Sequence, residues 1–297
     1  MIGAKTLLLS VIPFLIAAQP VASNVYSGAG VYQPTVDRWS RAIGNAPFES
    51  TTWIFGSPTN GSKDHFHRNK RRDTILLVPE ASNHLEVTLI VWFHGLGGFS
   101  GGEFRKRIIP QIQHFVDRDR SVAIAIPEMP WSINTRTPRG RQGKVWQRPR
   151  DLEIFVEDML DHLEVWSTIR HGSYLGEVRI VFAGFSAGGS ALSSAAREGG
   201  LCRSKPTAVL WLDATYDHWL DKAWTACLKK CKTDIRLLVR KWDDPHRNAK
   251  EFMGNLSPSV IPNVSLQVLP RKTWTHGEVG NRGLIEANIF QSLDDQQ

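Results

Sequence analysis

The sequence predicts an α/β fold with a mostly parallel central sheet and helices on both faces. Short apolar runs of strand length alternate with segments of helical periodicity from about residue 74 to 293, which is typical of parallel strands joined by helices. One of these runs, 178–183, leads through a glycine-bearing turn directly into a stretch of small residues. This order of an apolar run, a glycine turn and small residues is typical of a buried strand followed by a closely packed helix.

The first 23 residues predict an N-terminal signal peptide. Lys5 is their only charge, 7–18 is an apolar core, and Val21-Ala22-Ser23 resembles a small-residue cleavage site. The apolar run is shorter than the ~20 residues that cross a bilayer, so no membrane span is expected. We therefore expect a secreted or periplasmic protein in which 24–297 form a single domain.

Composition bounds the choice of partners. The apolar fraction of 41% is enough for a substantial core, and the formal net charge is +7. A basic excess favours anionic partners such as acidic glycans or cell-wall polymers. No nucleic-acid-binding motif accompanies the charge, so no nucleic-acid partner is expected.

The elements follow one another along the chain in a regular alternation. Strands are predicted at 51–55, 74–78, 87–93, 122–126, 178–183, 207–212, 235–239 and 264–269. Helices are predicted at 103–117, 151–169, directly after the 178–183 strand, around 220–228, and at 283–293.

The turn after the 178–183 strand carries the candidate nucleophile. Gly184-Phe185-Ser186-Ala187-Gly188 fits the pattern G-x-S-x-G, in which a serine lies on a sharp strand-to-helix turn above the sheet. Residues without side chains let the strand and the helix approach each other there. The alternative interpretation is a glycine-rich turn before a core helix.

A second glycine turn, His94-Gly95-Leu96-Gly97-Gly98, follows the strand at 87–93. Such a turn can direct a backbone N–H toward a reacting carbonyl, so Leu96 and Ala187 are the predicted oxyanion donors. We expect His94 and Gly95 to line the substrate site, and within the turn we expect the main role of His94 to be shaping the loop. A merely flexible glycine loop is the other interpretation.

A nucleophilic serine needs a base, and a carboxylate should orient that base. His276 is the best of the ten histidines, because it follows the last predicted strand and precedes the last predicted helix. Asp213 and Asp244 each follow a strand whose end lies at the same sheet edge. The pattern leaves these two acids open, with Asp243 as a third candidate behind both.

Taken together, these motifs resemble those of the α/β-hydrolase superfamily, with nucleophile, acid and base in that chain order. The resemblance covers about 74–293, and the elbow at Ser186 is similar to those of secreted esterases of the feruloyl-esterase and polyester-depolymerase kind. It implies the α/β-hydrolase fold. Two departures concern the acid: the usual Gly-x-x-Asp is replaced by Lys241-Trp-Asp-Asp244, and Asp213 occupies an alternative acid position of the superfamily.

Two tryptophans accompany a basic segment, 134–150, that we expect at the active-site edge. Trp131 and Trp146 with this segment could form a rim that binds an anionic or carbohydrate-linked substrate. A solvated basic loop is the alternative.

Three cysteines in an oxidising compartment predict one disulfide and one remaining thiol. Cys202 paired with either Cys227 or Cys231 is the expected arrangement, with three buried free thiols as the alternative.

The function predicted from the sequence is that of a secreted serine hydrolase. It would cleave a carboxylic ester through a Ser-Asp-His triad and an acyl-enzyme, without a metal or an organic cofactor. The substrate would be a small-molecule or polymeric ester, with an anionic one as an option. An amidase or peptidase with the same triad, and a non-catalytic binding protein on a hydrolase scaffold, are the alternatives.

Overall fold

The computed structural model describes residues 50–56, 73–79, 86–95, 107–127, 146, 149–172, 174–257 and 263–291. The predicted signal peptide lies outside the described residues, and so do Leu96, Trp131 and most of the basic segment 134–150.

Eight strands of the described residues form one sheet in the order β1-β2-β4-β3-β5-β6-β7-β8. β2 runs antiparallel to β1 and β4, and every other neighbouring pair is parallel. The mostly parallel sheet is therefore confirmed. The strands are β1 (Ser50–Gly56), β2 (Asp73–Pro79), β3 (Glu86–Phe93), β4 (Val122–Pro127), β5 (Glu177–Phe185), β6 (Ala208–Leu212), β7 (Asp234–Arg240) and β8 (Val264–Leu269).

Helices connect the strands along the described chain. They are α1 (Ile109–Val116), α2 (Asp151–His171), α3 (Gly188–Ser194), α4 (Trp219–Ala226), α5 (Asp244–Gly254) and α6 (His276–Glu286). A π-helical turn (Ala195–Gly199) extends α3, and a 3₁₀ turn (Leu228–Lys230) follows α4. Across the described segments, no helix has both the length and the apolar character that a bilayer crossing requires.

Side chains alternate along β3 between two hydrophobic cores, one on each sheet face. Leu89 and Val91 enter the core shared with α2 and α3, whereas Ile90 and Trp92 enter the core shared with α1 and α6. All four side chains are at most 1% exposed. Helices on both faces are therefore confirmed.

The last helix begins seven residues before its predicted start. The prediction placed it at 283–293, whereas α6 is His276–Glu286. Thr275 caps the helix, since its hydroxyl accepts a hydrogen bond from the Glu278 amide at 3.1 Å. His276 is consequently part of the first turn of α6, so the helix itself fixes its position.

One disulfide is present, and it joins Cys202 to Cys227 with a Cα–Cα distance of 6.3 Å. Cys231 is the free thiol, and burial raises its pKa to about 11. The expected pairing of Cys202 with one of the other two cysteines is confirmed, with Cys227 as the partner.

Candidate active site

Ser186 lies on a tight turn between β5 and α3. Its φ of 54° is in the left-handed region, which is unfavourable for a residue with a side chain. The glycines of the turn permit this approach: a Cβ at Gly188 would lie 2.1 Å from the Phe93 oxygen, and one at Gly189 would lie 2.1 Å from the Ala214 oxygen. Only residues without side chains fit at these two positions. The geometry is that of a nucleophile elbow.

Gly95, at the end of β3, lies against the candidate nucleophile. A Cβ at this position would be 3.1 Å from the Ser186 Cβ and 3.3 Å from the Phe185 ring. The β3 turn and the elbow are therefore in direct contact, and the place of Gly95 in a substrate site stays a prediction.

His94 lies beneath this turn and is only 1% exposed. Burial lowers its pKa to about 4, an effect that the hydrogen bond to the Gly95 carbonyl partly opposes, so the ring is neutral at neutral pH. Its Nδ1 donates to that carbonyl at 2.8 Å. The buried ring braces the backbone of the turn, which agrees with the interpretation that His94 shapes the loop. A contact of His94 with substrate stays a prediction.

The candidate base and an acid form a direct pair. His276 Nδ1 lies 2.6 Å from Asp213 Oδ2, where Asp213 is fully buried and His276 is 36% exposed at its side chain. A carboxylate accepts hydrogen bonds, so Nδ1 carries the proton and Nε2 is left as the acceptor on the ring. This is the orientation that a general base requires.

Asp213 immediately follows β6 and is held from several directions. Its φ is 49°, and its backbone N–H donates to the Leu238 carbonyl at 2.7 Å. Arg240 donates to it twice, from the backbone N–H at 3.2 Å and from Nε at 2.9 Å. Burial by itself would raise the pKa of Asp213, but the hydrogen bonds from His276 and Arg240 outweigh it and lower the pKa below its usual value.

The second candidate acid, Asp244, has a different partner. It forms an ion pair with Arg247 at 2.6 Å, and the two side chains are 58% and 72% exposed. Asp244 is the first residue of α5, where an acidic side chain suits the helix dipole. Of the two acids that the sequence leaves open, the structure thus brings Asp213 to His276 and Asp244 to Arg247.

Aromatic and cationic groups surround His276 on the opposite side. The Phe185 ring stacks on the imidazole with centroids 4.8 Å apart, and the Arg107 guanidinium lies 4.9 Å from the centre of the Phe185 ring. Arg107 Nη1 also donates to the Gly277 carbonyl at 2.7 Å, at the start of α6. Sequence reasoning missed these residues, since Phe185 is a variable position of G-x-S-x-G and nothing in the pattern distinguishes Arg107 from a surface arginine.

Trp146, expected at the substrate rim, lies in the hydrophobic core. It is 1% exposed and packs edge-on against Phe93 at 5.9 Å and against Phe155 at 5.4 Å between ring centroids. The structure therefore places the Trp146 ring in the core beside Phe93 and not on an exposed rim, and burial of a large apolar ring is favourable there.

Of the two predicted oxyanion donors, Ala187 lies within the described residues. It is the N-cap residue of α3, directly after Ser186. The Gly189 and Ser190 amides of this turn donate to the Ser186 and Ala187 carbonyls. The Ala187 N–H, which directly follows the serine, stays the predicted oxyanion donor.

The topology and the site now form one pattern. The serine follows β5 on an elbow, the acid follows β6, and the histidine follows β8, in a sheet whose second strand is antiparallel. The chain has the α/β-hydrolase fold. The fold predicted from the sequence motifs is thereby confirmed.

Solved structures with partial similarity include several hydrolases. An enterochelin esterase from Shigella flexneri aligns at 15% identity with a TM-score of 0.48, over 76% of this chain and 55% of that one. S-formylglutathione hydrolase (FrmB) from Staphylococcus aureus aligns at 14% identity and a TM-score of 0.46, over 80% and 98% of the two chains. An IroE-like serine hydrolase from Shewanella oneidensis aligns at 14% identity and 0.44, over 80% and 78%. No protein-family model and no curated protein matches the chain.

Proposed function

We propose that this protein is a secreted serine hydrolase that cleaves carboxylic esters, with Ser186 as nucleophile, His276 as base and Asp213 as acid. The 2.6 Å pair of His276 and Asp213, at the sheet edge where Ser186 lies on its strained turn, carries the proposal. The Ser186 backbone N–H donates to the Leu212 carbonyl at 3.1 Å, and Leu212 directly precedes Asp213. Nucleophile and acid thus lie on adjacent strand ends.

The chemistry follows from the hydrogen-bond directions. His276 Nε2 accepts the hydroxyl proton of Ser186 as Oγ attacks the ester carbonyl, and Asp213 stabilises the imidazolium that forms. The imidazolium then gives its proton to the leaving alkoxide, which departs as an alcohol and leaves an acyl-enzyme on Ser186. Water, deprotonated by His276, attacks this acyl group, and the imidazolium returns the proton to Ser186 Oγ as the acyl–oxygen bond breaks and the carboxylic acid leaves. Hydrolysis by this route needs no redox step.

The oxyanion formed in each tetrahedral intermediate needs hydrogen-bond donors. The Ala187 N–H, at the start of α3, is one proposed donor, and the Leu96 N–H in the β3 turn is the other. Gly95 leaves space beside Ser186 for the substrate carbonyl, since a Cβ there would come within 3.1 Å of the Ser186 Cβ.

Turnover and covalent labelling test the proposal together. We expect the purified protein to hydrolyse p-nitrophenyl butyrate and to be labelled by a fluorophosphonate, and we expect Ser186→Ala to lose both. Ser204→Ala is the matched control, because Ser204 lies outside the site and bonds only to the Gly200 carbonyl. Equal ester turnover by wild type and Ser186→Ala would overturn the assignment.

The same experiment separates the rival functions. Hydrolysis of a p-nitroanilide faster than the matched ester would make the protein an amidase. Failure of the fluorophosphonate to label the folded wild type would leave a binding protein on a hydrolase scaffold.

Secretion is tested on the expressed chain itself. We expect the exported protein to begin near residue 24, as found by mass spectrometry of its N-terminus, if residues 1–23 are a cleaved signal peptide. A cell-retained protein with an intact N-terminus would contradict secretion and leave the hydrolase proposal unaffected.

A further inference from the structure

Arg240, the last residue of β7, lies between two carboxylates at the active-site edge. Its Nε donates to Asp213 at 2.9 Å, and its Nη2 pairs with Asp243. The arginine side chain is 17% exposed, Asp243 is 20% exposed, and Asp213 is not exposed at all. Asp243, Arg240 and Asp213 are therefore a continuous chain of alternating charges, and this chain ends at the candidate base, His276.

Register along the sheet explains the first contact. β6 and β7 pair in parallel up to Leu212 and Leu238, and the next ladder donor beyond that pair is the Asp213 N–H. The Arg240 N–H then donates to the Asp213 carboxylate, so a side chain replaces a backbone acceptor where the ladder ends. Backbone and guanidinium donors from a single residue thereby fix both carboxylate oxygens.

The second contact is unusual for a helix cap. Asp243 is the N-cap residue of α5, a position where aspartate normally accepts a hydrogen bond from the helix backbone. Asp243 makes no such side-chain cap and binds Arg240 instead. A capping interaction worth about 1 kcal/mol is thus given up, which indicates that the carboxylate serves to hold the arginine.

We propose that Arg240 is a positioning residue of the active site, which holds the Asp213 carboxylate toward His276 Nδ1 and is itself held by Asp243. That Arg240 positions Asp213 is inferred from the geometry alone. That this positioning affects catalysis rests on the proposed function. Arg240 does not touch the reacting atoms in this arrangement, because its side-chain contacts are with the two carboxylates.

Arg240 also supplies a positive charge next to the Asp213–His276 pair. Asp213 is faced by His276 from α6 and by Arg240 from β7. Tyr216, in the loop after Asp213, lies within the influence of Asp213, Arg240, Asp243 and Asp244. A neighbouring cation disfavours proton uptake by the pair. Loss of that cation should therefore move the acid limb of the kcat/KM profile to higher pH.

The test compares variants at two arginines. For Arg240→Gln we expect kcat to fall about 10- to 100-fold with KM within about twofold, and the acid limb to move up by about 1 pH unit. Arg247→Gln is the matched control, since it removes an equally short but exposed arginine–aspartate pair on α5. The kcat of Arg247→Gln should stay within about twofold of wild type, and its acid limb within ~0.2 pH unit.

Two further variants separate charge from packing. Arg240→Lys keeps the charge but loses the forked geometry, so the acid limb should stay near that of wild type while kcat is only partly recovered. Asp243→Asn removes a negative charge and should move the acid limb to lower pH, opposite to Arg240→Gln. The inference is overturned if the acid limb stays at its wild-type position in both Arg240→Gln and Asp243→Asn. If Arg240→Gln does not fold, as judged by circular dichroism, the direction found for Asp243→Asn decides.

A readout without turnover keeps the two proposals distinguishable. The His276 Nδ1 proton that binds Asp213 can be followed by NMR, with its resonance identified by loss in His276→Gln. This resonance should move in Arg240→Gln and not in Arg247→Gln. Ester turnover with an unmoved Nδ1 proton resonance in Arg240→Gln contradicts the Arg240 inference alone. A moved resonance in a protein without hydrolase activity would instead contradict the proposed function and leave the positioning intact.

Discussion

Asp213→Asn is the substitution that separates the two candidate acids most directly. It keeps the size of the side chain and removes the charge that faces His276. In the native protein, Oδ2 receives hydrogen bonds from His276 Nδ1 and Arg240 Nε, while Oδ1 receives only the Arg240 backbone N–H. The side-chain NH₂ of the new asparagine cannot accept a hydrogen bond, so it would face one N–H donor in the Oδ1 position and two in the Oδ2 position. The Asn oxygen should therefore stay on the His276 side, and the correct imidazole tautomer should survive.

The predicted loss follows from the missing charge. Unit charges about 4 Å apart interact by about 4 kcal/mol at an effective dielectric constant of 20, and this attraction arises only when the imidazolium forms in the transition state. We therefore expect kcat/KM to fall on the order of 10³-fold, since about 1.4 kcal/mol corresponds to a factor of ten. For Asp244→Asn we expect a change below about twofold, because its ion pair with Arg247 is exposed and weak.

The assay is the pH 8 hydrolysis of p-nitrophenyl butyrate by both variants, each checked for folding by thermal melting. Retention of more than a tenth of wild-type kcat/KM by Asp213→Asn would refute the reasoning. An equally large loss in Asp244→Asn would do the same.

Three more predictions concern stability. Gly189→Ala should lower the melting temperature by several degrees, because its Cβ would lie 2.1 Å from a backbone oxygen. Gly254→Ala is the control: nothing lies within 4 Å of its Cβ, so the substitution should be neutral or stabilise the protein by up to about 1 kcal/mol. Burial lowers the pKa of His94 to about 4, so between pH 6.5 and 4 the unfolded chain binds up to one more proton than the native protein, and the free energy of unfolding decreases as the pH is lowered. Urea titrations should show a smaller decrease in His94→Gln than in wild type, with the two slopes differing by up to about 1.4 kcal/mol per pH unit. Replacing Cys202 and Cys227 by serine opens a loop with a sequence separation of 25, and this should cost about 3 kcal/mol and lower the melting temperature by roughly 6–12 °C.

Each of these predictions has an outcome that contradicts it. Equal melting temperatures for the two glycine variants would mean that the elbow relaxes without cost. Parallel stability curves for His94→Gln and wild type would mean that this ring titrates normally in the folded protein. An unchanged melting temperature in the double serine variant would leave the disulfide without a stabilising role.

The elements that could be predicted from the sequence are those with strong local signals. The strand β8 (Val264–Leu269) matches its prediction at both ends, and β3 and β5 were recognised from continuous apolar runs. Such runs are diagnostic because strands buried on both faces leave no polar alternation. The elbow was equally local, since its glycines and Ser186 stand next to one another in the chain.

The site was predictable only where chain order sufficed. Asp213 and Asp244 both follow a strand at the same edge, so no pattern distinguishes them. The left-handed backbone at Asp213 turns its carboxylate inward, and the helix at Asp244 keeps that carboxylate in solvent. Arg240 could not be recognised either, because its partners Asp213 and Asp243 are brought to it by strand pairing and by the end of β7.

The left-handed backbone at Ser186 and Asp213 has a consequence for engineering. Each residue holds a conformation that costs on the order of 1–2 kcal/mol when a Cβ is present, and glycine would relieve that cost at either position. Selection for heat resistance alone would therefore favour glycine at these two positions, and the variants would lose the serine hydroxyl or the aspartate carboxylate of the candidate site. Any thermostabilisation campaign on this scaffold should hold these two codons fixed and seek its gains elsewhere, for example in the helices that cover the sheet.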